Sequence, residues 1–333
     1  MATNENKHGF ERWKEQKEPI FSATDGELIV NEIPYIVQDI LAEDSFSAIC
    51  GLPESYKSFL TSHLAYCVAT GQPFLNRFEI KKKGKVLYCA FEGSTNVIKF
   101  RLKKLIDRNC EDYHTLPCQG LSFSDVGFVS QLKKTIEEEQ VILLIIDTYR
   151  ASFLGDENSS NDTTVILSKI RDAAKNCAVW FVAHSGKTAD RQLDYSNIYS
   201  LMRGSTALSG ALDYVYGLQF IESESSPPEE VSLILTQAKN RNASKLTDIR
   251  VVMSEIDNKI TFNSSFVVNK LSKKMQQIRE EILQTLREAD KPLSTAEIAP
   301  HNATSRNSKL AQLQEMVKES IILQDDDGKY IAI

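Results

Sequence analysis

The sequence predicts an α/β fold built on a mostly parallel sheet, followed by a small helical unit. Three observations carry that prediction. Short, almost uninterrupted apolar runs at 46–50, 86–91, 141–146 and 178–183 alternate with stretches of helical spacing. Strands buried on both faces read this way, and a parallel sheet is covered by helices on both faces. After about residue 266 the pattern changes to three helical stretches and a hairpin signal, with no internal repeat.

The elements follow in chain order. Residues 1–32 form a polar arm with one amphipathic stretch around Phe10 and Trp13. The α/β part spans 33–266. Its helices are expected at about 59–66, 96–108, 129–139 and 163–176, where apolar residues recur at three and four. Strands dominate after Asp213, at 214–221, 231–237, 249–253 and 260–262, with the Ser-, Pro- and Glu-rich stretch 223–230 as a loop. Residues 267–333 form the second unit. A helix over 273–288 places Met275, Ile278, Ile282, Leu283 and Leu286 on one face. A short helix follows, capped by Ser294 or Thr295, and a third is expected over 305–319. Asp327-Gly328 is a turn signal between two apolar runs. Three helices and a hairpin resemble a winged helix.

Composition narrows the class. The chain has 333 residues, 42% hydrophobic and 25% charged, as in globular proteins that do not span membranes. No apolar run approaches the roughly 20 residues a membrane span needs. Residues 1–19 contain no apolar signal-peptide core. A net charge of −6 argues against a basic nucleic-acid coat, though not against a local basic channel. The six cysteines make no C-x-x-C pair, which points to reduced thiols in a cytoplasmic protein without a zinc site.

The chemistry centres on Gly51-Leu52-Pro53-Glu54-Ser55-Tyr56-Lys57-Ser58. An apolar strand precedes it and Phe59 opens a helix-like run. Strand, glycine-led loop, Lys-Ser and helix is the context of a phosphate-binding loop. The candidate nucleotide-binding residues of this stretch are Gly51, Pro53, Glu54, Ser55, Tyr56, Lys57, Ser58 and Phe59, with backbone N–H groups of the loop and of the helix N-terminus facing the phosphates. Lys57 would neutralise the β- and γ-phosphates, and the Ser58 hydroxyl would bind Mg²⁺. Tyr56 stands where the pattern has glycine, so it either crowds the phosphates or turns outward. The competing reading is an ordinary strand–turn–helix.

Three further strand ends bear polar groups. Glu92 follows the 86–91 strand and is placed to deprotonate a water; the alternative is a loop glutamate capping the next helix. Asp147 ends the 141–146 strand, the usual place of a carboxylate that supports Mg²⁺ directly or through water. His184 ends the 178–183 strand, where it can sense a γ-phosphate or simply be a satisfied edge residue. Arg203, and Lys239 with Arg241, are cations that can flank such a site or serve a neighbour's; the plain alternative is solvated charge.

Taken together these segments resemble the hexameric RecA-like helicases of the plasmid RepA type, over roughly residues 33–262. Gly51 through Leu60, continuing into Val68-Ala69-Thr70-Gly71-Gln72-Pro73-Phe74-Leu75, is similar to that family's loop and following helix. Phe91-Glu92-Gly93 looks like its catalytic-glutamate segment, and Asp147-Thr148 with Asp156, Glu157, Asn158 and Asp162 like its metal-binding strand and loop. Ala183-His184 with Gly186-Lys187 is similar to its histidine motif, and Arg203-Gly204-Ser205 with Ala211 and Asp213 to its arginine-finger segment. The resemblance implies a RecA-like P-loop NTPase core with ATP and Mg²⁺ between subunits of a homo-hexamer or other ring. It also implies single-stranded DNA as partner and contacts with other replication proteins. Glu92, His184 and Arg203 would then be catalytic. A replicative helicase or DNA-translocating ATPase of a plasmid, phage or mobile element is the leading expectation. A DNA-binding regulatory or loader ATPase, or a non-hydrolysing RecA-like interaction protein, is the alternative.

Overall fold

The computed structural model describes residues 32–106, 110–185, 206–221, 230–266, 273–289, 291–300, 306–318, 321–325 and 327–332. The chain divides into two compact units, Met1–Phe266 and Val267–Ile333.

The first unit holds one nine-stranded sheet. Its strands are β3 (Phe46–Gly51), β4 (Lys85–Ala90), β5 (Tyr113–Pro117), β6 (Val141–Asp147), β7 (Ala178–His184), β8 (Tyr214–Ile221), β9 (Glu230–Asn240), β10 (Ile249–Ile256) and β11 (Lys259–Phe266). Across the sheet they run in the order β11-β10-β9-β8-β3-β7-β6-β4-β5. The six from β8 to β5 are parallel, and β9, β10 and β11 extend them in antiparallel fashion. A small antiparallel pair, β1 (Tyr35–Val37) and β2 (Leu41–Ala42), precedes the sheet.

Alternation along each central strand sends successive side chains to opposite faces. Ile49, Tyr88, Ile145 and Trp180 enter one core with Leu60 and Leu64 of α1 (Lys57–Thr70) and Ile98 of α2 (Thr95–Leu105). Ala48, Cys89, Ile146 and Phe181 enter the other. There they meet Leu132 of α3 (Val126–Glu139), Ile170 of α4 (Ser160–Ala173) and Leu208 of α5 (Thr206–Ala211). Both faces are covered, which is why these strands carry so few polar residues. Helices α3 and α4 begin earlier than their apolar spacing suggests. Asp125 and Ser159 accept hydrogen bonds from first-turn backbone N–H groups and so fix the starts.

The second unit contains α6 (Lys273–Arg287), α7 (Thr295–Ile298), α8 (Arg306–Lys318) and the hairpin β12 (Ile322–Gln324)–β13 (Tyr330–Ala332). Leu293 exchanges backbone hydrogen bonds with Tyr330. Ser294 and Glu297 form a capping box at the start of α7. Ile278, Ile282, Leu286, Leu313, Met316 and Ile322 make its separate core. No helix among the described residues is long and apolar enough to cross a membrane. All six cysteines are free thiols.

Candidate functional site

The parallel register brings the polar strand ends together. Gly51 at the end of β3 lies opposite His184 of β7. Val182 of β7 lies opposite Asp147 of β6, and Asp147 lies opposite Ala90 of β4, two residues before Glu92. Ligands bind at such carboxyl ends in open α/β sheets. A cleft of about 540 Å³ opens there, lined by the loop 53–59, Glu92, Gly93, Arg101, Asp147, Thr148, Val182 and His184. Its size suits a nucleotide-sized ligand.

The loop has little freedom. A Cβ on Gly51 would stand 2.4 Å from the Leu218 carbonyl oxygen of the adjacent strand β8, so only glycine fits. The Ser55 hydroxyl donates to Leu52 O at 2.7 Å. Lys57 is 5% exposed and its ammonium uses three donors: to Gly51 O at 3.0 Å, Leu52 O at 2.5 Å and Ser55 Oγ at 3.1 Å. Burial pushes this ammonium down to about 8, partly opposed by Cys50, Asp147 and Glu92. Pro53 and Glu54 are exposed at the loop crest. Helix α1 begins at Lys57 with no side-chain cap and no acid in its first turn. Its N-terminal N–H groups and dipole are thus available to an anion.

Tyr56 resolves the anomaly in the loop. Its backbone is left-handed, φ 62°, the conformation glycine adopts most easily. The ring packs with its centroid 6.3 Å from Phe59 and 6.4 Å from Phe220 of β8, at the edge of the cleft.

Glu92 accepts a 2.7 Å hydrogen bond from Thr148 Oγ1, which ties the end of β4 to the end of β6. It does not cap α2, whose N-cap is Ser94. Asp147 is 8% exposed, and burial raises its carboxyl above the usual range, opposed by hydrogen bonds from Tyr88 and Ser58. Its Oδ1 is buried with no hydrogen-bond partner among the described residues. That oxygen and the neighbouring Ser58 hydroxyl are hard donors of the kind Mg²⁺ takes, which normally adds substrate phosphates rather than a full protein cage. Among the described residues no group of three or more His, Cys, Asp or Glu could hold a metal alone. His184 is half-buried, and burial followed by the Lys57 charge lowers its pKa. Its Nδ1 has no hydrogen-bond partner among the described residues.

Not every expected residue reaches this cleft. Strand β9 runs antiparallel to β8, so its end returns to the opposite rim of the sheet. Lys239 there donates to Ser209 O at 3.0 Å. Arg241 pairs with Asp213 at 3.0 Å, and Asp213 in turn accepts from the N–H of Phe46, the first residue of β3. Neither cation lines the phosphate loop. Arg203, with Gly186 and Lys187, lies outside the described residues. Asp156 and Asp162 organise their own loop, Asp162 accepting from the Asp156 N–H at 3.1 Å.

Arg101 and Tyr88 carry no signal as site residues in the sequence, and Thr148 enters only beside Asp147 in the family resemblance. Arg101 lies on the stripe of α2 that carries buried Ile98 and Leu105, and its guanidinium sits 5.6 Å from the Phe59 ring centroid. A cation on a buried stripe was the available signal.

Tyr56→Gly separates the two effects of that residue. Glycine relieves about 1 kcal/mol of left-handed backbone cost and loses the contacts to Phe59 and Phe220. Melting temperature is expected to change little or fall, with ATP affinity within about threefold of wild type, under 1 kcal/mol. A tenfold gain in affinity at unchanged melting temperature would mean that the ring crowds the phosphates.

A family model described as an AAA domain matches residues 21–190. No curated protein matches the chain. Among 420 matching chains of solved structures is one described as an ATPase domain, at a TM-score of 0.52 and 13% identity. That match covers 79% of this chain and 99% of the other. At this identity the likeness speaks for the fold alone, an α/β fold on a large, mostly parallel sheet. The family model spans just over half of the 333 residues, and the chain belongs to that AAA-domain family.

Proposed function

We propose that this protein hydrolyses ATP at the cleft and couples the reaction to movement along, or unwinding of, single-stranded DNA as a ring. The observation that supports the reading most is the convergence of Lys57, Ser58, Glu92, Asp147 and His184 on one rim. The resemblance of several segments to RepA-type helicases supports the DNA and ring parts, and with them a role in replicating a plasmid, phage or other mobile element.

In this reading the loop N–H groups and the start of α1 bind the β- and γ-phosphates, and Lys57 exchanges a carbonyl partner for phosphate oxygen. Ser58 and Asp147 hold Mg²⁺, which when bound offsets charge on the phosphates. Thr148 orients Glu92, whose carboxylate accepts a proton from the attacking water as the water oxygen bonds the γ-phosphorus and ADP leaves. Arg101 adds a cation beside the same oxygens. His184, at the end of β7, reports the state of the γ-phosphate. By the resemblance Arg203 would serve the site of the adjacent subunit, and Lys239 and Arg241, on the far rim, would serve a neighbour. Residues 267–333 act as a winged-helix-like domain. A second reading, a DNA-binding regulatory or loader ATPase without unwinding, is favoured by the three-helix and hairpin second unit.

Wild-type protein is expected to turn over ATP faster with single-stranded DNA and to displace a strand. Glu92→Gln should bind ATP normally and lose at least about a hundredfold in rate, the typical worth of a general base. Stimulation without strand displacement would favour the second reading; no ATPase at all would sink the enzyme reading.

Mixing Lys57→Ala with Arg203→Ala tests the ring. Each alone should be inactive, and the mixture should recover some activity at interfaces that pair an intact loop with an intact arginine. No recovery despite co-assembly excludes a role in trans.

The pH dependence has a definite sign. Lys57 sits near 8 in the folded protein against 10.5 for a free side chain. Below about pH 8 both states hold the proton and the burial cost is present in full. Between the two values only the unfolded chain holds it, so this group's contribution to stability rises with pH. Phosphate binding has the opposite dependence, because neutral Lys57 cannot offset phosphate charge. ATP affinity is expected to fall above about pH 8, and a titration from neutral to alkaline pH with a fluorescent nucleotide checks it. A flat profile would mean that phosphate binding does not use this charge.

A further inference from the structure

The mechanism leaves Tyr88 without a task. It sits within β4, 5% exposed, and its phenol O–H donates to Asp147 Oδ2. The other carboxylate oxygen, Oδ1, is buried and has no hydrogen-bond partner among the described residues. The Ser58 hydroxyl lies beside the same carboxyl. Behind them is a chamber of about 20 Å³, lined by Ser58, Ser62, Tyr88, Glu92, Arg101 and Asp147 among others. It has room for about one water.

The two oxygens of Asp147 therefore differ. One is held from within the sheet, and the other is buried without a hydrogen-bond partner among the described residues. A carboxylate restricted in this way binds a cation through a single oxygen. Mg²⁺ uses such ligands in near-ideal octahedral geometry, whereas Ca²⁺ readily takes both oxygens of a carboxylate and a looser shell. We propose that Tyr88 is a positioning residue for the divalent cation: by occupying Oδ2 it leaves Asp147 one oxygen to offer and so favours Mg²⁺ over Ca²⁺. The inference rests on the reading of the cleft as a nucleotide and Mg²⁺ site.

Tyr88→Phe removes one atom and keeps the ring beside Tyr113, 6.4 Å away between centroids. The measurement is Mn²⁺ binding to the ADP complex, followed by electron paramagnetic resonance, with Mg²⁺ and Ca²⁺ as competitors. ADP affinity without metal and melting temperature are recorded on the same samples. In Tyr88→Phe, metal-free ADP affinity should match wild type. Mn²⁺ should bind about tenfold more weakly, the usual effect of losing a partner behind a ligand, and the preference for Mg²⁺ over Ca²⁺ should shrink. In an Asp147→Asn background, Tyr88→Phe should add no further loss. A lower melting temperature with unchanged Mn²⁺ affinity and unchanged Mg²⁺/Ca²⁺ preference would overturn the proposal and leave Tyr88 as a packing residue. A further loss in the Asp147→Asn background would overturn it too, because Tyr88 would then act elsewhere. Failure of the underlying reading looks different: wild-type protein would bind no ADP, or Asp147→Asn would bind Mn²⁺ as wild type does.

Discussion

In the parallel ladder Gly51 faces His184, Val182 faces Asp147, and Asp147 faces Ala90. The polar residues of the cleft stay together because that register holds, and the register holds because both faces of the strands are buried. A slip of one residue would exchange the two faces. Ile49, Ile145 and Trp180 would leave one core while Ala48, Ile146 and Phe181 left the other. The geometry of the site is thus enforced by apolar packing well below it. The site's own hydrogen bonds, such as Thr148 to Glu92, adjust side chains within a frame already fixed.

The same frame explains the electrostatics. Lys57 and Asp147 are both nearly inaccessible, and each is destabilised in its charged form by burial. Lys57 is partly compensated by Asp147 and Glu92, whereas His184 is disfavoured as a cation by Lys57. The Asp147 carboxyl is relieved more by the Tyr88 and Ser58 hydroxyls than by the charge of Arg101. A nucleotide phosphate with a divalent cation would supply each buried charge with the partner it lacks. Such a cleft gains more from binding the pair than a solvated surface carrying the same charges would.

Much of this was legible in the sequence, for physical reasons. Strands buried on both faces leave unbroken apolar runs, so β3, β4, β6 and β7 were readable, and polar residues directly after them marked the rim. β5 was not, because Tyr113-His114-Thr115-Leu116-Pro117 is a half-exposed edge strand with little apolar contrast. The pair β1–β2 is too short to show a period. Strand order was also hidden, and with it the position of Lys239 and Arg241. Their distance from the phosphate loop follows from the antiparallel course of β9, which no local pattern records. Arg101 and Tyr88 were missed because each belongs to an otherwise ordinary buried face, where a single polar group reads as noise until the opposite element is known.

Tyr56 shows how a loop can depart from its pattern without losing its shape. The left-handed backbone there is a requirement of the turn into α1, and glycine is the residue that meets it at least cost. A tyrosine bears that cost but restricts the unfolded chain more than glycine does, which returns part of it. Its ring then joins Phe59, on the helix that starts the loop's exit, to Phe220 on β8, the strand whose Leu218 carbonyl already excludes any side chain at Gly51. Both ends of the loop are therefore held against the same strand, one by a backbone contact and one by an aromatic contact. A glycine would give the loop its conformation alone; the tyrosine gives the conformation together with an anchor.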